Sequence, residues 1–334
     1  MYSKTFPYRF LINQSQLNVK KGLIAVNELP SDRKIVSFDL LNLKYSLFIQ
    51  RLMLFLCLII VISDSNRLSA EIVSFPGAEP SYQKRFATAT WVEADLQVPQ
   101  GSNGGIPAVI ILHGSAGYKK NGRGGFYSDA LLKAGIATLE VNMFSQGDRP
   151  KRTDDNLSQV FGALYFAAQH PMINHKKIGV MGFSWGGVLS LRLISEKLNE
   201  LFNQNNKQVL FAAHAPFYPA CFAHIRYKNK TSYYERVTGK PIMLFYGGKD
   251  DYDLASNCPR FKSMLTQNAQ KNFNLKFYPQ ATHGWDNQKR SLPYNYYAQY
   301  ANDGKGGQVY IIPDRNIALD SRETVVDFFK QVLK

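Results

Sequence analysis

Three residues in this chain could together run nucleophilic catalysis: Ser184, Asp250 and His283. A serine hydroxyl is a weak nucleophile near neutral pH. It needs a histidine to take its proton and a carboxylate to orient that histidine and stabilise its charged form. Ser184 stands in Gly182-Phe183-Ser184-Trp185-Gly186-Gly187, with the apolar run Lys177-Ile178-Gly179-Val180-Met181 before it and Val188-Leu189-Ser190-Leu191-Arg192-Leu193 after it. This pattern predicts a strand, a sharp turn and a helix, with glycines where any Cβ would meet a neighbouring segment. Asp250 follows the strand-like run 241–246 in Gly247-Gly248-Lys249-Asp250-Asp251, and His283 follows the run 273–278 in Pro279-Gln280-Ala281-Thr282-His283-Gly284-Trp285. Each group is expected at the end of its own strand. Asp251 and Asp253 are rival acids, and Asp250 is preferred because it lies where the strand has just ended.

A carbonyl attacked by Ser184 would place negative charge on its oxygen, and backbone N–H groups are the usual means of holding it. The run 107–112 is a continuous apolar strand that ends in His113-Gly114-Ser115-Ala116-Gly117. The expected donors are the N–H groups of Ser115 and Trp185. His113 reads as a strand-end residue bonding the loop backbone, not as a proton-transfer group.

These groups need a frame. Strand-like runs at 90–98, 107–112, 136–143, 177–181, 209–213, 241–246 and 272–278 alternate with helical runs near 126–134, 157–170, 188–201, 259–269 and 321–333. Such alternation predicts βαβ units in one α/β domain over residues 71–334, a doubly wound, mostly parallel sheet flanked by helices. Asp320, with Glu323 three positions on, reads as the start of the last helix.

Taken together, His113-Gly114 to Gly117, the Gly182–Gly187 turn, Gly247-Gly248-Lys249-Asp250-Asp251 and Ala281-Thr282-His283-Gly284-Trp285 resemble the dienelactone hydrolase family of α/β-hydrolases. The resemblance covers roughly residues 71–334. It implies the α/β-hydrolase fold, a hydrolase of esters or lactones, no metal or other cofactor, and catalysis through Ser184, Asp250 and His283. The chain departs from the family's strict pattern in two places. It has Ser184 where dienelactone hydrolases carry a cysteine nucleophile, and Gly114 where they carry a glutamate that regulates the thiol. The nearer likeness is to exported serine-type members of the family.

Residues 1–70 read differently. The stretch 52–62 is an apolar run of signal-peptide length, too short for the ~20 residues that cross a bilayer as a helix. Lys44 and Arg51 precede it, and Leu68-Ser69-Ala70 offers a small-residue cleavage site before Glu71. Export to the periplasm or medium is expected. The alternative is a membrane anchor made of residues 48–62, and that hydrophobic segment is the one means of membrane association the sequence offers. Some fifty residues ahead of the apolar run is long for a signal's leading region, which suggests a translation start further in. Removal of the signal would take Cys57 with it and leave Cys221 and Cys258, both near the carboxyl edge of the sheet. A bridge between them would suit an exported protein; two free thiols are the other reading.

The formal net charge is +15, and the first seventy residues carry nine Lys and Arg against four Asp and Glu. Lys119, Lys120 and Arg123 cluster beside the oxyanion loop, and Arg226, Lys228, Lys230, Arg236 and Lys240 lie between two strands. No nucleic-acid-binding module accompanies this charge, so it reads as a solvated basic face. Aromatic and polar loops at 144–149, Trp185, Phe217, Tyr218 and 294–297 are expected to border a pocket for a small-molecule ester or lactone. An acyltransferase or peptidase would use the same triad, and a non-catalytic envelope protein could reuse the scaffold.

Overall fold

The run Pro107-Ala108-Val109-Ile110-Ile111-Leu112 has no polar face, which suits a strand covered by helices on both sides. It forms the middle of an eight-stranded sheet. The computed structural model describes residues 69–334 apart from 82–85, 90, 121, 204–208, 226–232 and 288–289. The extension 1–68 with its apolar segment 52–62, and the basic residues Arg226, Lys228 and Lys230, lie outside the described residues. So does the question of an anchor at 48–62. Among the described residues no helix is long and apolar enough to cross a membrane.

The strands are β1 (Ser69–Phe75), β2 (Val92–Val98), β3 (Ile106–Leu112), β4 (Ala137–Asn142), β5 (Ile173–Phe183), β6 (Ala213–Phe217), β7 (Ile242–Gly247) and β8 (Phe273–Tyr278). Their spatial order is β1-β2-β4-β3-β5-β6-β7-β8. The pairs β1–β2 and β2–β4 are antiparallel, and every pair from β4 to β8 is parallel. This is the α/β-hydrolase fold. Side-chain alternation along β3 feeds two cores: Ile110 and Leu112 pack with Leu157, Phe161 and Leu189, and Val109 and Ile111 pack with Tyr127, Phe217 and Phe329. Helices α1 (Arg123–Lys133) and α7 (Arg315–Val332) cover the second face, while α2 (Leu157–Gln169) and α3 (Trp185–Arg192) cover the first.

Several elements differ from the sequence expectation, each for a local reason. The strand expected at 209–213 is β6 at Ala213–Phe217. Its His214 and Pro216 look like breakers. Pro216, however, pairs on the β5 side without needing an N–H, and fully buried His214 has its Nδ1 3.1 Å from the Ser190 carbonyl. Burial pushes that imidazole down to about 4, so it is neutral. The helix expected at 188–201 breaks into α3 and α4 (Glu196–Phe202). Ser195 caps α4 by accepting from Leu198 N, and Asn199 Nδ2 donates to the Leu193 and Ser195 carbonyls. The run 259–269 likewise divides into α5 (Asn257–Ser263) and α6 (Gln267–Lys271). The last helix starts earlier than expected, because Asp314 is its cap and accepts from Ile317 N at 2.9 Å. Asp320 instead accepts from Tyr278 OH at 2.6 Å and pairs with Lys276 at 3.0 Å.

Two features were not expected as strands at all. β1 begins at Ser69, two residues ahead of the anticipated domain start, and pairs Ser69 with Val98. The excursion after His283 contains an antiparallel hairpin, β9 (Tyr294–Ala298) and β10 (Gly307–Ile311), with a small core of its own built from Ala298, Ala301, Val309 and Ile311.

Candidate active site

The turn between β5 and α3 forces Ser184 to φ 50°, a left-handed conformation that costs a non-glycine residue free energy. Tight packing holds it there. A Cβ on Gly182 would run into the Gly186 carbonyl, and one on Gly186 into the Leu112 carbonyl, so only glycine lets strand, turn and helix approach this closely. Ser184 N donates to the Phe217 carbonyl at 3.0 Å, which ties the turn to the end of β6.

The structure brings Ser184, His283 and Asp250 into one hydrogen-bonded line. His283 Nε2 is 2.8 Å from Ser184 Oγ, and His283 Nδ1 is 2.8 Å from Asp250 Oδ2. Both side chains of the His283–Asp250 pair are nearly buried. The other Asp250 oxygen accepts Tyr252 N at 2.9 Å, so both carboxylate oxygens are occupied and the group is fixed in orientation. Tyr252 also lays its ring against the imidazole at a centroid distance of 4.3 Å. The rival acids are elsewhere. Asp251 accepts Tyr310 N from the hairpin at 2.8 Å. Asp253 is buried and accepts from the N–H groups of Cys221 and Phe222 and from Asn257 Nδ2. Burial pushes the Asp253 carboxyl up to about 7.

Ser115 and Trp185 both line the cavity that opens over Ser184. Their N–H groups donate to no carbonyl or side chain among the described residues. Gly114 lies directly against Ser184, since a Cβ there would stand 3.8 Å from Ser184 Cβ. His113 accepts Met143 N at its Nε2, 3.1 Å away, and its Nδ1 is 2.9 Å from the Gly114 carbonyl. Burial pushes that ring down to about 4, so Nδ1 carries the proton and donates. His113 therefore braces the 113–117 loop through the Gly114 carbonyl and Met143 N–H.

The cavity has a volume of about 670 Å³ and joins Ser184, His283 and Ser115 to Arg149, Trp185 and Tyr252. Its outer wall is the hairpin segment Tyr296, Tyr297 and Tyr300. Phe217 and Tyr218, expected at the pocket, are fully buried behind it. Trp185 is held by its Nε1 on Asn156 Oδ1 at 2.9 Å and carries the Arg149 guanidinium 5.2 Å above its ring. Cys221 and Cys258 form a disulfide with Cα atoms 5.1 Å apart. Their donor atoms and those of Asp253 are grouped within 4.8 Å, but both sulfurs are spent in the bridge.

Sequence reasoning missed one group. Arg123, placed there with the basic surface, turns inward and pairs through Nε with Asp286 at 2.9 Å. Asp286 stands three residues after His283, which was the only signal available for it.

The profile of the dienelactone hydrolase family matches residues 92–333. A stretch of 102 residues is 28% identical to uncharacterized protein PA2218 of Pseudomonas aeruginosa, and it spans 28% of this chain and 28% of that protein. Among solved structures, the chain is similar to the Pyrococcus furiosus esterase Pf2001, at 16% identity and a TM-score of 0.52 over 81% of this chain and 96% of the other. It is also similar to Thermogutta terrifontis esterase 2 phosphorylated by paraoxon, at 14% identity and a TM-score of 0.53 over 79% and 94%. At these identities the likeness is one of fold.

Proposed function

Because this chain belongs to the dienelactone hydrolase family, we propose that it is a carboxylic-ester hydrolase that cleaves esters or lactones through an acyl-enzyme on Ser184. The carrying observation is the continuous line from Asp250 through His283 to Ser184, opening on a cavity large enough for a small-molecule ester. His283 Nε2 takes the Ser184 proton as Oγ bonds to the carbonyl carbon. Asp250 keeps the Nδ1 proton in place and stabilises the imidazolium. The new oxyanion is held by the N–H groups of Ser115 and Trp185, which gain most once the charge has formed. Collapse returns the proton to the departing alkoxide, which for a lactone stays tethered to the acyl group. Water, deprotonated by His283, then releases the acid and restores Ser184. A serine at position 184 suits this scheme, since Gly114 stands where a glutamate would govern a thiol.

The test is to treat the purified protein with a fluorophosphonate and with a panel of aryl esters, alkyl esters and lactones. The expected result is one phosphonyl group, on Ser184, with loss of turnover in proportion to labelling. Esterase 2 of Thermogutta terrifontis is itself phosphorylated by paraoxon. An unlabelled protein inactive on the whole panel overturns the reading.

Export belongs to the same proposal: residues 52–62 act as the signal, and the mature chain starts near Glu71, inside β1, with Glu71 to Phe75 still paired to β2. The disulfide suits that destination. It closes a loop with a sequence separation of 37, for which the chain-entropy estimate gives about 4 kcal/mol. Reduction is therefore expected to lower the melting temperature by several degrees. Melting curves with and without reductant, beside mass spectrometry of the exported N-terminus, check both points. Equal curves remove the stabilising role, and an intact N-terminus in the membrane fraction replaces cleavage by an anchor.

A further inference from the structure

We propose that the Arg123–Asp286 ion pair, closed in by the hydroxyls of Tyr127 and Tyr218, is a positioning strut for His283 that also balances the charge behind the imidazole. The proposal rests on the triad reading above. Asp286 has no exposed surface; it accepts hydrogen bonds from Tyr127 OH at 2.8 Å and Tyr218 OH at 2.7 Å, and it forms an ion pair with the Arg123 guanidinium, whose Nε lies 2.9 Å away. Burial pushes both phenols well up, so they remain protonated and donate. These donors come from α1 and from the end of β6, whereas Asp286 belongs to the loop of His283. Three separate pieces of chain are thus pinned at one carboxylate.

The cluster reaches the imidazole by two routes. The Tyr218 ring stands edge-on to His283 with centroids 4.8 Å apart, while its hydroxyl holds Asp286. The Arg123 guanidinium lies over the Phe183 and Tyr218 rings at 5.6 and 5.8 Å. It also packs against Gly284, since a Cβ there would be 3.2 Å from Nη2, and Gly284 holds φ +64°. The peptide that follows His283 is therefore fixed by a cation, and the same guanidinium fills the space beside Gly114, with Nη1 3.8 Å from where a Cβ would be. A guanidinium is charged at every working pH, and an unpaired charge here would be felt strongly in the low dielectric. Around the imidazole stand Ser184 from the turn, Asp250 and Tyr252 from the loop after β7, Tyr218 from β6, Arg149 across the cavity, and Arg123 with Asp286 behind.

Position and charge give separable readouts. Arg123→Gln and Asp286→Asn should each lower kcat by about 10- to 100-fold on the best ester, with KM changed far less, because a small misplacement of a catalytic group acts on the transition state. The acidic limb of kcat/KM should move in opposite directions. Removing the cation leaves Asp286 to stabilise an imidazolium, so the limb rises in pH; removing the carboxylate leaves Arg123 to oppose one, so the limb falls. The double variant should return the limb towards its parent position without restoring kcat. Arg123→Lys, which keeps the charge but not the fork, should leave the limb unmoved. Should neither single variant fold, Tyr218→Phe retains the ring against His283 and removes one donor from Asp286, and its limb should rise. Limbs that stay at the parent pH in every folded variant, or losses that fall on KM and melting temperature alone, overturn the strut. A wild-type protein that Ser184-directed phosphonate fails to label overturns the triad reading instead, and so separates the two failures.

Discussion

Ser184→Ala is expected to lower kcat by about 10⁴- to 10⁶-fold on whichever ester the parent turns over best, since members of a triad act as a unit. The loss should be chemical, not structural. Ser184 holds φ 50° because the surrounding carbonyls and glycines impose it, not through a bond its hydroxyl makes to the scaffold. Among the described residues the hydroxyl's one partner is His283 Nε2. Circular dichroism and melting temperature of the alanine variant should therefore match the parent, and phosphonate labelling should vanish. Ser184→Gly should be equally inactive but more stable by about 1 kcal/mol, since glycine accepts positive φ without the penalty. Turnover by the alanine variant at the parent rate removes Ser184 as nucleophile.

Asp250→Asn is expected to cost about 10³- to 10⁴-fold in kcat, because a neutral amide neither fixes the required tautomer nor stabilises the imidazolium. Asp251→Asn should stay near the parent, as its partner is a hairpin N–H. Asp253→Asn should leave kcat largely intact and alter stability instead. Burial, its largest cause, raises that carboxyl to about 7 from the 3.8 of a free side chain. A folded-state value above the unfolded one means the native protein binds the extra proton. The stability Asp253 contributes is then complete below pH ~4 and declines as the pH rises through about 7. Denaturant titrations at pH 5 and 8 should show that decline in the parent and not in Asp253→Asn. If Asp251→Asn is the inactive variant and Asp250→Asn is not, the acid is misplaced by one residue.

Much of the fold and of the candidate site was legible in the sequence because the candidate residues sit where patterns change. Ser184, Asp250 and His283 each stand at the end of an apolar run, and an apolar run ending in Gly is visible without coordinates. What escaped has a different physical character. β6 hid because His214 and Pro216 break the strand pattern, while their compensation lies in other segments. The 188–201 helix looked unbroken because Ser195 caps α4 from inside an otherwise helical run. Asp314 was overlooked as a cap because Asp320 matched the capping pattern, though the Asp320 side chain had already been taken by Tyr278 and Lys276. Arg123 was read as surface because its partner is 163 positions away, and net charge says nothing about which cations turn inward.

The hairpin of β9 and β10 bears on how a family of this kind diversifies. Its outer face supplies Tyr296, Tyr297 and Tyr300 to the cavity, yet its base is sewn to the acid loop: Asn302 N on the Asp251 carbonyl at 2.7 Å, Asp303 N on the Tyr252 carbonyl at 3.1 Å, Tyr310 N on Asp251 Oδ2 at 2.8 Å. On the other side Ile312 N donates to Thr282 Oγ1, the neighbour of His283, at 2.8 Å. A graft that exchanged this hairpin for another would carry new selectivity and a disturbed acid in the same move. If the triad reading holds, recombination that keeps Asp250 in place would have to transplant the 250–257 loop together with the hairpin, so the unit exchanged in this chain would be the pair, not the insertion alone.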